Sequence, residues 1–255
     1  MSTAGEDEKE WRLEEEKEPL EARQAREYRA LAARANYLAA DRADIQYAVK
    51  EICRGMANPT RGDWRKLKRL GRFLLGKPRV VISYKYQGED APLVGFSDSD
   101  WAGCKRTARS TSGGVIMKGD HVLKSWSSTQ KAITLSSGEA ELIAAVKTCT
   151  EVIGITQLAR DWGEEWQGEI LVDSSAAIGI VHRKGNGKLR HVRVGMLWIQ
   201  EQVEEGEIKV KKVKGDDNPA DLFTKNLAEA KVAKFMDMIG ELYVEGRAEA
   251  GLKLK

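Results

Sequence analysis

Cysteine is scarce in this chain, with three in 255 residues. Cys53, Cys104 and Cys149 are odd in number, far apart and form no Cys-x-x-Cys pair. That argues against a disulfide framework and a zinc site, and fits a reducing intracellular setting, cytoplasmic or nuclear. Long apolar runs are also missing. None approaches the roughly 18 residues that crossing a membrane needs, so no membrane partner is expected. Nor does one sign of charge dominate: the net charge is +3, with 32% of residues charged. A balance this even neither demands nor excludes a nucleic-acid partner, and the distribution of charge has to decide. The acidic first 18 residues are unlike a secretory signal or a transit peptide. A hydrophobic fraction of 42% is enough for a core, and the length suits one sizeable domain with a smaller appendage.

Four segments are expected: a charged lead-in over 1–26, a helical segment over 27–78, a main domain over 79–228 and a helical tail over 229–255. In the second, Leu31, Ala35, Leu38 and Ala39 recur at helical spacing, as do Ile45, Ala48, Val49 and Ile52. Pro59 interrupts, and a third helix follows through Trp64, Leu67, Leu70, Phe73 and Leu74. Its other face, Arg65 to Arg72, is basic. After Pro78 the pattern turns to strands, at 80–86, 92–97, 112–118 and 121–127, with a tight hairpin at Lys118-Gly119-Asp120. A long helix is expected over 137–162 behind a serine N-cap, then a strand at 169–173 and a helix at 174–182. A helix over 192–205, a strand at 208–213 and a last helix from Asp217 complete a mixed α/β layout.

Four carboxylates stand where an acidic site could assemble. Asp98 and Asp173 end strands, Glu141 lies near the start of the long helix, and Asp221 lies in the first turns of the last one. Acids at the carboxyl ends of neighbouring strands converge in the crevice of an open α/β sheet. Hard oxygen ligands suit magnesium, with manganese as the alternative. Two such ions together activate a water and stabilise a leaving oxygen at phosphorus, which is why several carboxylates are needed. Spacing alone leaves ordinary roles open: a turn residue for Asp98, a helix cap for Asp221, a solvated helix face for Glu141.

The residues around the acids add a resemblance. Gly95-Phe96-Ser97-Asp98-Ser99-Asp100-Trp101-Ala102-Gly103 resembles the first-strand motif of the ribonuclease H domain of copia-type retrotransposon Pol polyproteins. Arg109-Ser110-Thr111-Ser112-Gly113-Gly114, Ser125-Trp126-Ser127-Ser128 and Leu135-Ser136-Ser137-Gly138-Glu139-Ala140-Glu141 are similar to the segments that follow it. Val172-Asp173-Ser174-Ser175-Ala176-Ala177-Ile178 and Asp217-Asn218-Pro219-Ala220-Asp221-Leu222-Phe223-Thr224-Lys225 resemble the last two motifs, all in family order. The helical segment resembles the connection between the reverse transcriptase and its ribonuclease H, while the polymerase's Tyr-x-Asp-Asp motif is absent.

The resemblance implies a ribonuclease H-like mixed sheet, three antiparallel strands continued by parallel ones, with flanking helices. It implies metal-dependent hydrolysis of the RNA strand of RNA–DNA hybrids within reverse transcription, and no polymerase activity. It makes Asp98, Glu141, Asp173 and Asp221 the catalytic and metal-binding set, with two magnesium ions. Asp100 and Glu139 compete with Asp98 and Glu141, and Glu139 also suits a charge at the helix N-terminus. The expected partners are the hybrid and the reverse transcriptase of the same polyprotein. Arg183, Lys184, Lys188, Arg190, His191 and Arg193, around a Gly-rich loop, are the candidates for phosphate contact. Trp101 could stack on nucleic acid, and Trp162, Trp166 and Trp198 read as packing residues.

The chain departs from the family pattern at Asn226-Leu227, where the family usually has Pro-Leu, and around His191, and from the cellular enzymes before the last acid. In the Lys-His-Ile-Asp-Ile-x-Tyr-His stretch His191 is kept, but Arg193 replaces the Asp and Leu197 the second His. Residues 213–217 lack the histidine that cellular ribonuclease H enzymes carry before the last acid. These departures support an alternative, a nucleic-acid-binding remnant with little or no turnover.

Overall fold

The computed structural model describes residues 17–187, 191 and 194–246. Its elements are α1 (Ala22–Leu38), α2 (Gln46–Cys53), α3 (Arg61–Gly76), β1 (Val80–Ile82), β2 (Leu93–Cys104) and β3 (Arg109–Lys118). They continue with β4 (His121–Thr129), α4 (Ser137–Asp161), β5 (Gly168–Val172) and α5 (Ser175–Val181). The last are α6 (Trp198–Glu204), β6 (Ile208–Lys212), α7 (Glu229–Met238) and β7 (Glu241–Tyr243). The chain divides into two units, one of residues 1–84 with 228–255 and one of residues 85–227.

The second unit holds a five-stranded sheet in the order β4-β3-β2-β5-β6. β2, β3 and β4 pair antiparallel, and β5 and β6 continue the sheet in parallel. This is the mixed sheet expected from the sequence, three antiparallel strands continued by two parallel ones. Its core joins Leu93, Ile116, Ile170, Val172 and Ile208 from the strands to Leu142, Cys149 and Val152 of α4. Gly95 lets α4 come close: a Cβ there would lie 2.7 Å from Thr148 Cγ2 and 2.8 Å from Val152 Cγ2. α4 is capped by the Ser136 hydroxyl, which accepts the Glu139 N–H at 3.2 Å. This 25-residue helix is long and apolar enough to cross a membrane by composition, contrary to the expectation that no segment would be. Its apolar character is explained by burial against the sheet, where Ala140, Leu142, Ala144, Ala145, Cys149 and Val152 are fully covered.

In the first unit the three helices enclose a core of Tyr28, Ala32, Ile45, Val49, Ile52, Leu70 and Phe73. The Tyr28 hydroxyl donates to the Ile52 carbonyl at 2.6 Å, so its polar end is satisfied inside. α3 opens on a reciprocal capping box between Thr60 and Asp63. The segment boundaries expected from the sequence are corrected here. β1 does not join the main sheet; it pairs with β7, Val80 opposite Tyr243 and Ile82 opposite Glu241. The expected tail therefore belongs with the helical segment. Buried Glu241 accepts the Ala43 N–H at 3.3 Å, and the Tyr243 hydroxyl donates to Asp44 at 3.1 Å. Burial pushes the Glu241 carboxyl up to about 7.

Other expectations are corrected too. The helix foreseen over 192–205 is shorter, a 3-10 turn at Val194–Met196 followed by α6. The helix foreseen from Asp217 is a 3-10 segment, Pro219–Phe223, held by side-chain contacts described below. Trp162 is 68% exposed rather than packed, because α4 ends at Asp161, whereas Trp166 and Trp198 pack on the core.

Candidate metal centre

The parallel pairing of β2 with β5 sets Ser97 opposite Val172. Asp98 and Asp173 are the next residues on two neighbouring strands, so register alone brings them side by side. α4 delivers Glu141 from the fifth position of its helix, on the turn after the Ser136 cap. Oxygens of Asp98, Glu141 and Asp173 lie within 4.8 Å of one another.

Asp221 reaches the same place by a different route, and lies outside that 4.8 Å set. Its 3-10 segment is fastened to the strands. The Asn218 amide donates to the Ser97 carbonyl at 2.9 Å, and its oxygen accepts the Ala220 N–H at 3.2 Å. The Ser127 hydroxyl donates to the Phe223 carbonyl at 2.6 Å, and the Thr224 hydroxyl donates to Asp98 Oδ2. Lys225 Nζ closes the arrangement, 2.7 Å from Asp221 Oδ1 and 3.8 Å from Asp98 Oδ2. Gly113 makes room for this: it lies opposite Asp98 in the β2–β3 register, and a Cβ on it would be 2.7 Å from Phe223 Cβ and Thr224 Cγ2.

Crowded acids with little water titrate late. Burial, with the charges of Asp98 and Asp173, pushes the Glu141 carboxyl up to about 9, against an opposing hydrogen bond from the Ser99 N–H. Burial and Asp98 also raise Asp173, and push Asp221 up to about 6. Lys225 moves the other way from its burial: the acids around it, Asp98 foremost, outweigh desolvation and raise its pKa.

The residues present fit a hard divalent cation. Glu141 Oε2 is buried and has no hydrogen-bond partner, a costly state for a carboxylate oxygen unless something positive meets it. Asp98, Glu141 and Asp173 offer oxygens only, the donors that magnesium and manganese prefer.

The two competitors face elsewhere. Asp100 lies against Gly103, at the irregular end of β2, where an added Cβ would meet its carboxylate. Glu139 serves the helix start: its Oε2 accepts the Leu135 N–H at 2.8 Å and stands 3.2 Å from His191 Nε2. Of the basic candidates, Arg183 donates to the Asn186 carbonyl at 2.8 Å and exposed Lys184 pairs with Glu204. Lys188, Arg190 and Arg193 lie outside the described residues. Trp101 is half exposed, its indole N–H donating to the Thr134 carbonyl at 3.2 Å.

Sequence reasoning passed over Gly113, Asn218, Thr224 and Lys225 as working parts of the site. All four fall inside motifs quoted above. The signal that could have found them is a polar or small residue that the motif repeats without obvious chemistry.

Known proteins share sequence with this chain. Over 223 residues the chain is 32% identical to the retrovirus-related Pol polyprotein from transposon RE2 of Arabidopsis thaliana, covering 86% of this chain and 15% of that protein. Over 219 residues it is 33% identical to the corresponding polyprotein from transposon RE1 of the same plant, covering 84% and 15%. The chain is therefore similar to one part of the retrovirus-related Pol polyproteins of transposons. The chain spans about 15% of the length of those relatives. No family model matches it. Among solved structures it is similar to RNase H1 from the archaeon Halobacterium salinarum, with a TM-score of 0.36 and 16% identity over 52% of this chain and 94% of that one.

Proposed function

We propose that this chain is part of a copia-type retrotransposon Pol polyprotein and, as its ribonuclease H, hydrolyses the RNA strand of RNA–DNA hybrids with magnesium. The observation that carries this reading is the meeting of Asp98, Glu141 and Asp173 where the parallel pairing of β2 with β5 ends, around a buried, unpartnered Glu141 oxygen. Asp98 does not end its strand as expected, since β2 runs on to Cys104. Asp98, Glu141 and Asp173 would hold the cation, and Asp221 would complete the set beside Asp98. A divalent ion in such a site lowers the pKa of a water and stabilises a leaving oxygen. The chain's own part is positional. Ser99 holds Glu141 by its backbone N–H, Thr224 fixes one oxygen of Asp98, and Asn218 fixes the segment that carries Asp221.

Selectivity for RNA would come from its 2′-hydroxyls, with the duplex read by backbone and groove shape. The basic residues between 183 and 193 would supply phosphate contacts. Offering the purified chain a hybrid, duplex DNA and single-stranded RNA in magnesium tests the reading. Cleavage of the hybrid's RNA strand alone is expected; equal cutting of all three forms would contradict it. A second reading, hybrid binding without turnover, is favoured by Arg193 and Leu197 at positions where the family carries Asp and His. It predicts a retained hybrid and no product in the same assay.

A further inference from the structure

Lys225 stands where a metal ion's charge is wanted. It lies four residues after Asp221, and its ammonium is within 4.0 Å of oxygens of both Asp221 and Asp98. Its neighbour Thr224 already donates to the same Asp98 Oδ2, so that oxygen is turned toward the Lys225 side of the cluster. One positive charge cannot balance four carboxylates, and Glu141 Oε2 is left buried with no partner. The lysine is also free to leave: its side chain is 46% exposed, whereas those of Asp98 and Asp221 are each only 4% exposed. A flexible four-carbon stem carrying a compact ammonium suits a group that moves aside, where a planar guanidinium would hold a fixed geometry.

We propose that Lys225 is a built-in counter-cation, which occupies the carboxylate cluster while it is empty and competes with the divalent ion for Asp98 and Asp221. Lys225 then sets the cation concentration at which the site loads. This rests on the metal-dependent reading above. Two consequences follow from charge alone. Without the ammonium, an incoming ion has no competitor. Without it, the acids of the empty site also repel one another unscreened, so the metal-free fold is weakened and the ion stabilises it more.

The test is a manganese titration of the full chain by calorimetry, with thermal melts in chelator and in manganese. Lys225→Met and Lys225→Gln should each bind manganese about tenfold tighter than the natural chain, the factor that about 1.4 kcal/mol corresponds to. Both should melt lower in chelator and gain more from manganese. Lys225→Arg keeps the charge and should stay near the natural affinity. Two neutral variants guard against one failing to fold. If the natural chain binds manganese and the neutral variants bind it equally or more weakly, Lys225 is no competitor and this inference alone fails. If neither the natural chain nor the neutral variants bind manganese, the metal-dependent reading fails and takes this inference with it.

Discussion

Glu141 carries the cost of this site in its metal-free form. Its carboxyl titrates at about 9 in the folded chain against an ordinary 4.5, because it is buried beside Asp98 and Asp173. A pKa raised on folding means that the folded state holds the proton more tightly. The stabilising contribution is full below about 4.5 and is lost as the pH rises towards 9. Asp173 is shifted in the same sense. Glu141→Gln should therefore raise the metal-free melting temperature, by more at pH 8 to 9 than at pH 5, as on the order of one proton's linkage requires. Thermal melts in chelator across that range check it, and a constant difference at all pH values would show that the Glu141 shift is not what limits stability. The sequence made the four acids visible as a set, because each sits in a motif. It left Asp98 against Asp100 and Glu141 against Glu139 open. Those choices depend on side-chain direction within an irregular strand or a helix, as the positions of Asp100 at Gly103 and of Glu139 at the Leu135 N–H illustrate.

Elements with a strong period were legible, and those fixed by distant contacts were not. The long core helix was foreseen over 137–162 and spans Ser137–Asp161, and the hairpin at Gly119 joins β3 and β4 as expected. The strand foreseen at 80–86 is only Val80–Ile82, and β7, three residues long and too short for a period, was not foreseen; it becomes a strand by pairing with β1. The Pro219–Phe223 segment is 3-10 rather than α because Asn218, Thr224 and Ser127 tie it to strands. Its seat depends on Gly113. In Gly113→Ala the new methyl would meet a Cβ and a threonine methyl at 2.7 Å, neither of them the far end of a flexible chain. Overpacking of this kind should cost about 1–3 kcal/mol and move Asp221 away from Asp98. Denaturant unfolding together with hybrid cleavage checks it; unchanged stability with full activity would mean that the segment shifts freely.

At the scale of the whole molecule, residues 228–246 matter to the unit that contains the N-terminal helices. Truncation after Leu227 removes β7, the Glu241 acceptor for the Ala43 N–H and the Tyr243 donor to Asp44. Hydrogen exchange should then show β1 and the Ala43–Ile45 turn losing protection; undiminished protection would separate the tail from that unit. The segment boundaries read from sequence missed this because contact between residues so far apart leaves no local trace. Nucleic-acid affinity belongs to the same scale. Neutralising Arg190 and Arg193 together should weaken hybrid binding, flatten its dependence on salt and leave metal affinity unchanged. Filter binding at several salt concentrations checks this, and an unchanged affinity would move the phosphate contacts elsewhere.

The central claim is that these carboxylates form a divalent-metal site that cuts RNA paired to DNA. Asp173→Asn tests it most directly, since it removes one charge from the cluster with almost no change of shape. The measurement is single-turnover cleavage of a strand-labelled hybrid by the natural chain and by Asp173→Asn, each in magnesium and in chelator. RNA-strand products are expected only from the natural chain in magnesium. The variant should lose more than about 100-fold in rate, beyond what outer-shell partners of a metal produce, and should melt no lower than the natural chain. Equal cleavage by the variant, or undiminished cleavage in chelator, would contradict it.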